Sequence, residues 1–170
     1  FRRVSEVKGQ TKAKALTSVP ERRGAIVIAL LGARPGEWIA INEFLRYLVA
    51  SGGLLEVARN SWALYIGEPQ YGSLGYEGCS GWLRKWYTMV FLWEYAATLG
   101  LIDVAFCEPE MGHRDWTGNW GTDDIDCLGP HDGLHYFRIN NLGAWVLGLT
   151  SDYVPPKEEV KTSMEALIHH

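Results

Sequence analysis

Paired cysteines are missing from this sequence. Cys79, Cys107 and Cys127 are an odd number at wide spacing, and no Cys-x-x-Cys pair occurs. Neither a disulfide framework nor a zinc ribbon is signalled, so reduced thiols in a cytoplasmic protein are the expectation. Long apolar runs are missing too: none reaches the ~18 uncharged residues of a membrane span. The nearest, 86–102, is interrupted by Glu94, and no membrane partner is expected. There is no secretory signal. The Gly-Lys-Ser/Thr end of a phosphate loop, a Gly-x-Ser-x-Gly elbow and a dinucleotide fingerprint are all absent, and no paired-Glu catalytic fingerprint appears. No catalytic residue and no cofactor is expected on these grounds. A strong excess of one charge is lacking as well, because the net charge is only −4. By itself this predicts nothing about polyanions.

Aromatic and apolar material, by contrast, is plentiful. Hydrophobic residues make up 47% of the 170, with eight Trp and eight Tyr, enough for a large core, exposed partner surfaces, or both. That length fits one domain, or one domain with an appendage. The chain begins at Phe1 rather than Met, which reads as a piece of a longer protein or a processed chain. Charge is unevenly distributed. Residues 1–23 carry Arg2, Arg3, Lys8, Lys12, Lys14, Arg22 and Arg23 against Glu6 and Glu21. Residues 103–132 carry Asp103, Glu108, Glu110, Asp115, Asp123, Asp124, Asp126 and Asp132 against Arg114 alone.

In chain order, residues 1–20 read as a basic N-terminal arm without periodicity. Pro20 and Glu21 open a largely buried helix that Ala33-Arg34-Pro35-Gly36 stops. Trp38–Ile41 is β-prone. Asn42 is expected to cap the next helix, whose apolar face is Phe44, Leu45, Leu48 and Val49. Residues 54–66 are expected to be helical and to lead into a glycine-rich connection, so that about 52–79 forms an insertion. Ser80 is expected to cap a long helix, 80–99, with a broad apolar face of Trp82, Leu83, Trp86, Met89, Val90 and Trp93. Gly100 sits where that helix should stop. Leu101–Phe106 and Leu134–Ile139 read as strands joined by a long acidic loop, about 107–133. Beyond Pro155-Pro156, 151–170 closes as a polar C-terminal tail.

The runs LWEYAATLGLIDVAF and YFRINNLGAWVLG, placed in this order, resemble the winged helix-turn-helix family over about two-thirds of the chain. In that family three helices form the core and a β-hairpin wing follows the third. The resemblance implies an α+β, mostly helical fold over 21–150: a winged-helix-like three-helix core with a β-hairpin wing, plus an inserted helix and loop. It also implies a function. The start of the third helix would meet a DNA groove, with Ser80, Arg84, Lys85 and Thr88 in position for phosphates and base edges, aided by Arg2, Arg3, Lys12 and Lys14 on the arm.

Three functional readings follow. In the first, the chain is a non-catalytic module binding nucleic acid within a larger protein or regulator. In the second, it is a protein-interaction module. An acidic wing loop is repelled by phosphate, whereas Trp116 and Trp120 on that loop, and Tyr71 and Tyr76 on the glycine-rich connection, suit a protein partner or the remainder of a larger chain. The third is a metal-dependent hydrolase built on the cluster Cys107, His113, Asp115, Asp123, Asp124, Asp126, Cys127, His131, Asp132 and His135, which are metal-ligand types. A solvated acidic loop is the plainer account of that cluster, and no metal site is assigned.

Overall fold

The computed structural model describes residues 15–52, 55–60, 63–68, 80–118, 122 and 125–155, together with the backbone at 7–9 and 72–73. The first helix, α1, spans Val19–Leu31. Ser18 starts it through a capping box: its hydroxyl accepts from the Glu21 N–H, and its own N–H donates to the Glu21 carboxylate at 3.0 Å. Pro20 in the first turn costs no hydrogen bond there. A two-residue strand, β2 (Ile39–Ala40), runs directly into α2, Ile41–Ala50. Ala40, not Asn42, is the residue before α2, and no side chain caps that end; Asn42 already lies in the first turn.

The third helix, α3, spans Ser80–Val90, and Ser80 is its first helical residue. From Phe91 to Ala97 the backbone continues with the wider turn of a π-helix, where one α-helix to residue 99 was expected. No Pro or Gly marks this change in advance. The stop at Gly100 is as expected. Its φ of +71° is left-handed, the Gly100 N–H donates to Ala97, and the Leu101 N–H reaches back to Ala96 at 2.9 Å.

Strands β5 (Ile102–Phe106) and β6 (Leu134–Ile139) pair antiparallel, and β2 adds to the other edge of β6, giving the order β2-β6-β5. Phe137 sits opposite both Ile39 and Val104 and points into the core, edge-on to Phe44 at 5.0 Å between centroids. A short helix, α4 (Asn141–Val146), follows, capped by the Asn140 side chain, which accepts from the Gly143 N–H at 3.0 Å.

The inserted segment is not helical where described. Residues 64–68 form β3 (Leu64–Glu68), which pairs antiparallel with β1 (Val7–Gly9) on one side and β4 (Gly72–Ser73) on the other. Leu64 and Ile66 are buried while Tyr65 between them is exposed, a period of two that fits a strand and not a helix. Leu55 and Val57 are buried as well, and Leu16 bridges to Ala58. All four apolar side chains join the same core as Ile26, Leu48, Leu83, Met89 and Phe137. The insertion is therefore part of the core and not an appendage.

Among the described residues no helix is long and apolar enough to cross a membrane. The described residues form an α+β fold of four α-helices with a small antiparallel sheet, β2-β6-β5, and a second small sheet in which the inserted strands β3 and β4 join β1.

Candidate functional site

The start of α3 is where the sequence places a nucleic-acid contact, and the structure gives those side chains other work. The Arg84 guanidinium donates to the Leu55 carbonyl through Nε at 3.1 Å and to the Glu56 carboxylate through Nη2 at 3.0 Å. Lys85 Nζ sits 2.7 Å from Asp115 Oδ1. Their side chains are only 16% and 11% exposed. Thr88 is fully buried, and its hydroxyl donates back to the Arg84 carbonyl at 2.9 Å. Three of the four expected contact residues on α3 are thus committed within the fold. The inserted segment supplies the partners of Arg84 and the β5–β6 loop that of Lys85. Of Ser80 the structure gives only the helix start. Arg2, Arg3, Lys12, Lys14, Tyr71, Tyr76 and Trp120 lie outside the described residues.

A groove of about 670 Å³ remains between α2 and the start of α3. Asn42, Leu45, Arg46, Val49 and Trp82 border it together with the paired Arg84 and Lys85. Arg46 is well exposed at its rim and pairs with Glu43 one turn earlier.

The long loop between β5 and β6 is not a free acidic arm. Trp116, expected as a partner anchor on its surface, is 2% exposed and belongs to the core. A Trp ring contributes a large apolar area, and its burial here fixes the loop against the helices. Asp132 is buried and accepts three hydrogen bonds: from Trp86 Nε1 at 2.9 Å on Oδ1, and from the Leu128 and Gly129 N–H groups at 2.6 and 3.2 Å on Oδ2. Burial pushes its carboxyl above the usual range, while these donors and the Lys85 charge pull the other way. Asp126 pairs with Arg114 at 3.5 Å. Asp123 and Asp124 lie outside the described residues. Asp115, Asp126 and Asp132 are thus paired within the fold, while Glu108 and Glu110 are exposed, so the formal charge of the loop overstates what a polyanion would meet.

The cluster of metal-ligand residue types divides into separate hydrogen-bonded groups. His131 Nε2 lies 3.1 Å from Glu94 on the π-helix. On the other side of the loop, Cys107 Sγ lies 3.1 Å from His135 Nε2, and His135 Nδ1 lies 3.1 Å from His113 Nε2. His135 thus uses its two nitrogens on opposite ring edges, and its ligands do not converge. Partial desolvation holds the His113 pKa below the ordinary imidazole range; the neighbouring His135 and Lys85 add to this, and Asp115 opposes them. Among the described residues no three such groups surround a point that one cation would fill. Sequence spacing put Cys107, His113 and His135 in one loop region but could not show the Cys–His–His chain, which depends on the backbone of Gly133 meeting that of Cys107.

Apolar side chains are exposed on the β5–β6 hairpin and beyond it. Phe106 is 61% exposed at the end of β5, against Trp93 at 4.7 Å. Tyr136 on β6 and Met111 on the loop are exposed too. Trp38 lies exposed under the Arg138 guanidinium, 4.8 Å from its ring centre, and Arg138 in turn pairs with Asp103 at 2.7 Å. None of Phe106, Met111, Tyr136 or Trp38 stood out as a surface residue in the sequence, because exposure of one face of a strand is fixed by which face the core takes. Comparison of the chain with protein-family models, with characterised proteins and with solved structures finds no match.

Proposed function

We propose that the chain is a non-catalytic, winged-helix-like module that engages a protein partner through the wing. The element order α1, β2, α2, α3, β5, β6 and the strand order β2-β6-β5 support the winged-helix-like reading. One observation carries the choice of partner. The cations at the start of α3 are held by Glu56 and Asp115, while Phe106, Met111 and Tyr136 stand exposed on the wing. Breaking partly buried ion pairs to reach phosphate is costly, whereas exposed aromatics and Met are the residue types that anchor protein interfaces. Co-purification of the native chain from its own cells tests this. The proposal expects the double variant Phe106→Asp, Tyr136→Asp to lose the co-purifying protein and Arg84→Ala, Lys85→Ala to keep it. The reverse pattern overturns it.

A second reading rests on the groove between α2 and α3. Its rim carries Arg46, and the groove has room for a side chain or a backbone phosphate. In this reading the module binds nucleic acid, and affinity for a short duplex falls steeply with salt. Fluorescence anisotropy across a salt series decides it: binding at low salt with a steep slope, reduced by Arg46→Ala, supports this reading, and no binding at low salt removes it.

A further inference from the structure

A second cleft, on the other side of α3, shares no residue with the groove just described. It is bounded by the start of α1 and by the α3–π-helix junction, and its volume is about 170 Å³. Arg22 lies at its base and is 6% exposed. One terminal nitrogen, Nη1, donates to the carbonyl and the hydroxyl of Thr17. Its Nε is buried with no hydrogen-bond partner. Among the described residues no carboxylate pairs with this guanidinium; Glu21, beside it in sequence, is taken by the Ser18 capping box. The Glu21 charge reaches Arg22 only through space, without a hydrogen bond, and a buried cation so weakly compensated is costly; the N-terminal turn of a helix, itself partially positive, adds to the cost. An anion in the cleft relieves both.

The walls define what kind of anion. Arg22 lies over the Tyr87 ring at 5.2 Å from its centre, and Arg23 lies over Tyr95 at 4.7 Å. Phe91 and Tyr95 stack at 6.1 Å with nearly parallel rings, one turn apart on the π-helix. Val19, Val90 and Trp86 complete an apolar lining. Flat aromatic walls favour a planar ligand. The volume limits it: a cavity of about 150 Å³ holds a single benzene ring. We propose that this cleft binds a small aromatic monocarboxylate, its carboxylate on the Arg22 guanidinium and its ring against Phe91 and Tyr87. The site is independent of the wing surface, so it survives or fails on its own.

Benzoate is the probe, with benzamide as its neutral isostere and acetate as the ringless acid. Thermal unfolding of the full chain is followed at rising concentrations of each, alongside titration of the Trp fluorescence that Trp86 contributes to. The expected result is a saturable rise in Tm with benzoate, and binding at least about tenfold weaker for benzamide, since a charge-assisted pair is replaced by a neutral one. Arg22→Met is expected to fold, because it removes a buried charge that no hydrogen-bonded carboxylate compensates, and to lose the benzoate response. Tyr95→Ala, at an exposed position, is expected to fold and to weaken benzoate binding. Equal binding of benzoate and benzamide, no saturable response to benzoate, or a full response in Arg22→Met overturns the proposal. The wild-type comparison of the two isosteres decides the matter even if a variant does not fold.

Discussion

Asp132 shows how much one side chain holds together. Both of its oxygens accept, one from Trp86 on α3 and the other from two backbone N–H groups of the β5–β6 loop. Replacing it with Asn puts an amide N–H₂ against at least one of these donors. We expect Asp132→Asn to lower stability by about 1–3 kcal/mol, the usual cost of leaving a buried polar group unsatisfied, measured as a fall in the denaturation midpoint. A variant as stable as the parent would show that these bonds contribute little. The carboxyl also has a linkage consequence. Its pKa is raised on folding, so the protonated form is favoured in the native state. The associated stabilisation is complete below the unfolded value and is lost as pH rises through the folded one. His113 runs in the opposite sense. Its pKa is lowered, so the folded state favours neutral imidazole; that stabilisation is present above the unfolded value and lost as pH falls through the folded one. Asp115 raises the His113 pKa, so Asp115→Asn should move the His113 titration to still lower pH, as read from its ring-proton shifts. An unchanged titration would contradict the attribution.

At the scale of elements, close backbone approach decides where α4 sits against the start of β5. Gly143, in α4, lies so near the Leu101 carbonyl that a Cβ there would collide with it. The helix is held onto the strand by Asn140, which caps α4 and donates its side-chain amide to Gly100 and Asp103. Gly143→Ala must displace one element from the other, and we expect a loss of about 1–3 kcal/mol, typical of overpacking. Gly148→Ala is the control. A Cβ there meets open space, and the only cost is the left-handed φ of +71°, about 1 kcal/mol. Equal effects of the two substitutions would mean that the collision is relieved without cost. The long loop behaves similarly: Gly112 and Gly133 bring its two limbs into backbone contact at Asp132 and Cys107, which is why a stretch too long for a hairpin turn still packs.

Over the whole molecule, one core joins pieces far apart in sequence. Leu55 and Ile66, from the inserted segment, are as buried as Leu48 and Leu83 from the helices. Leu55→Ala and Leu48→Ala should therefore each cost about 2–5 kcal/mol and shift one common unfolding transition. Separate transitions, or a negligible effect at Leu55, would mean that the insertion folds as an appendage. The mild net charge of −4 is likewise distributed by tertiary structure, since Asp115 and Glu56 are placed opposite Lys85 and Arg84.

The helices and strands that carry strong local signals were legible in the sequence. Pro20 and Glu21 mark the start of α1, Gly100 ends the long helical run, and the apolar spacing of Phe44 and Leu48 gives α2 its inner face. These depend on contacts three or four residues apart, which sequence states directly. The strand at Leu64–Glu68 was not legible, because a short apolar run satisfies a buried helix or a strand until a partner, here β1, supplies the ladder. Nor was the site. Arg84 and Lys85 carry the right chemistry at the right place on α3, and only folding brings Glu56 and Asp115 to them from 28 and 30 residues away. Trp116 passes from loop to core for the same reason, and Arg22 becomes a buried cation only once α3 covers it. The sequence determined where α1 opens, the inner face of α2 and the stop at Gly100; the tertiary structure decided that Leu64–Glu68 is a strand, which charges are spent inside the fold and which aromatics are left outside it, because strand pairing, burial and ion pairing depend on neighbours that chain order does not specify.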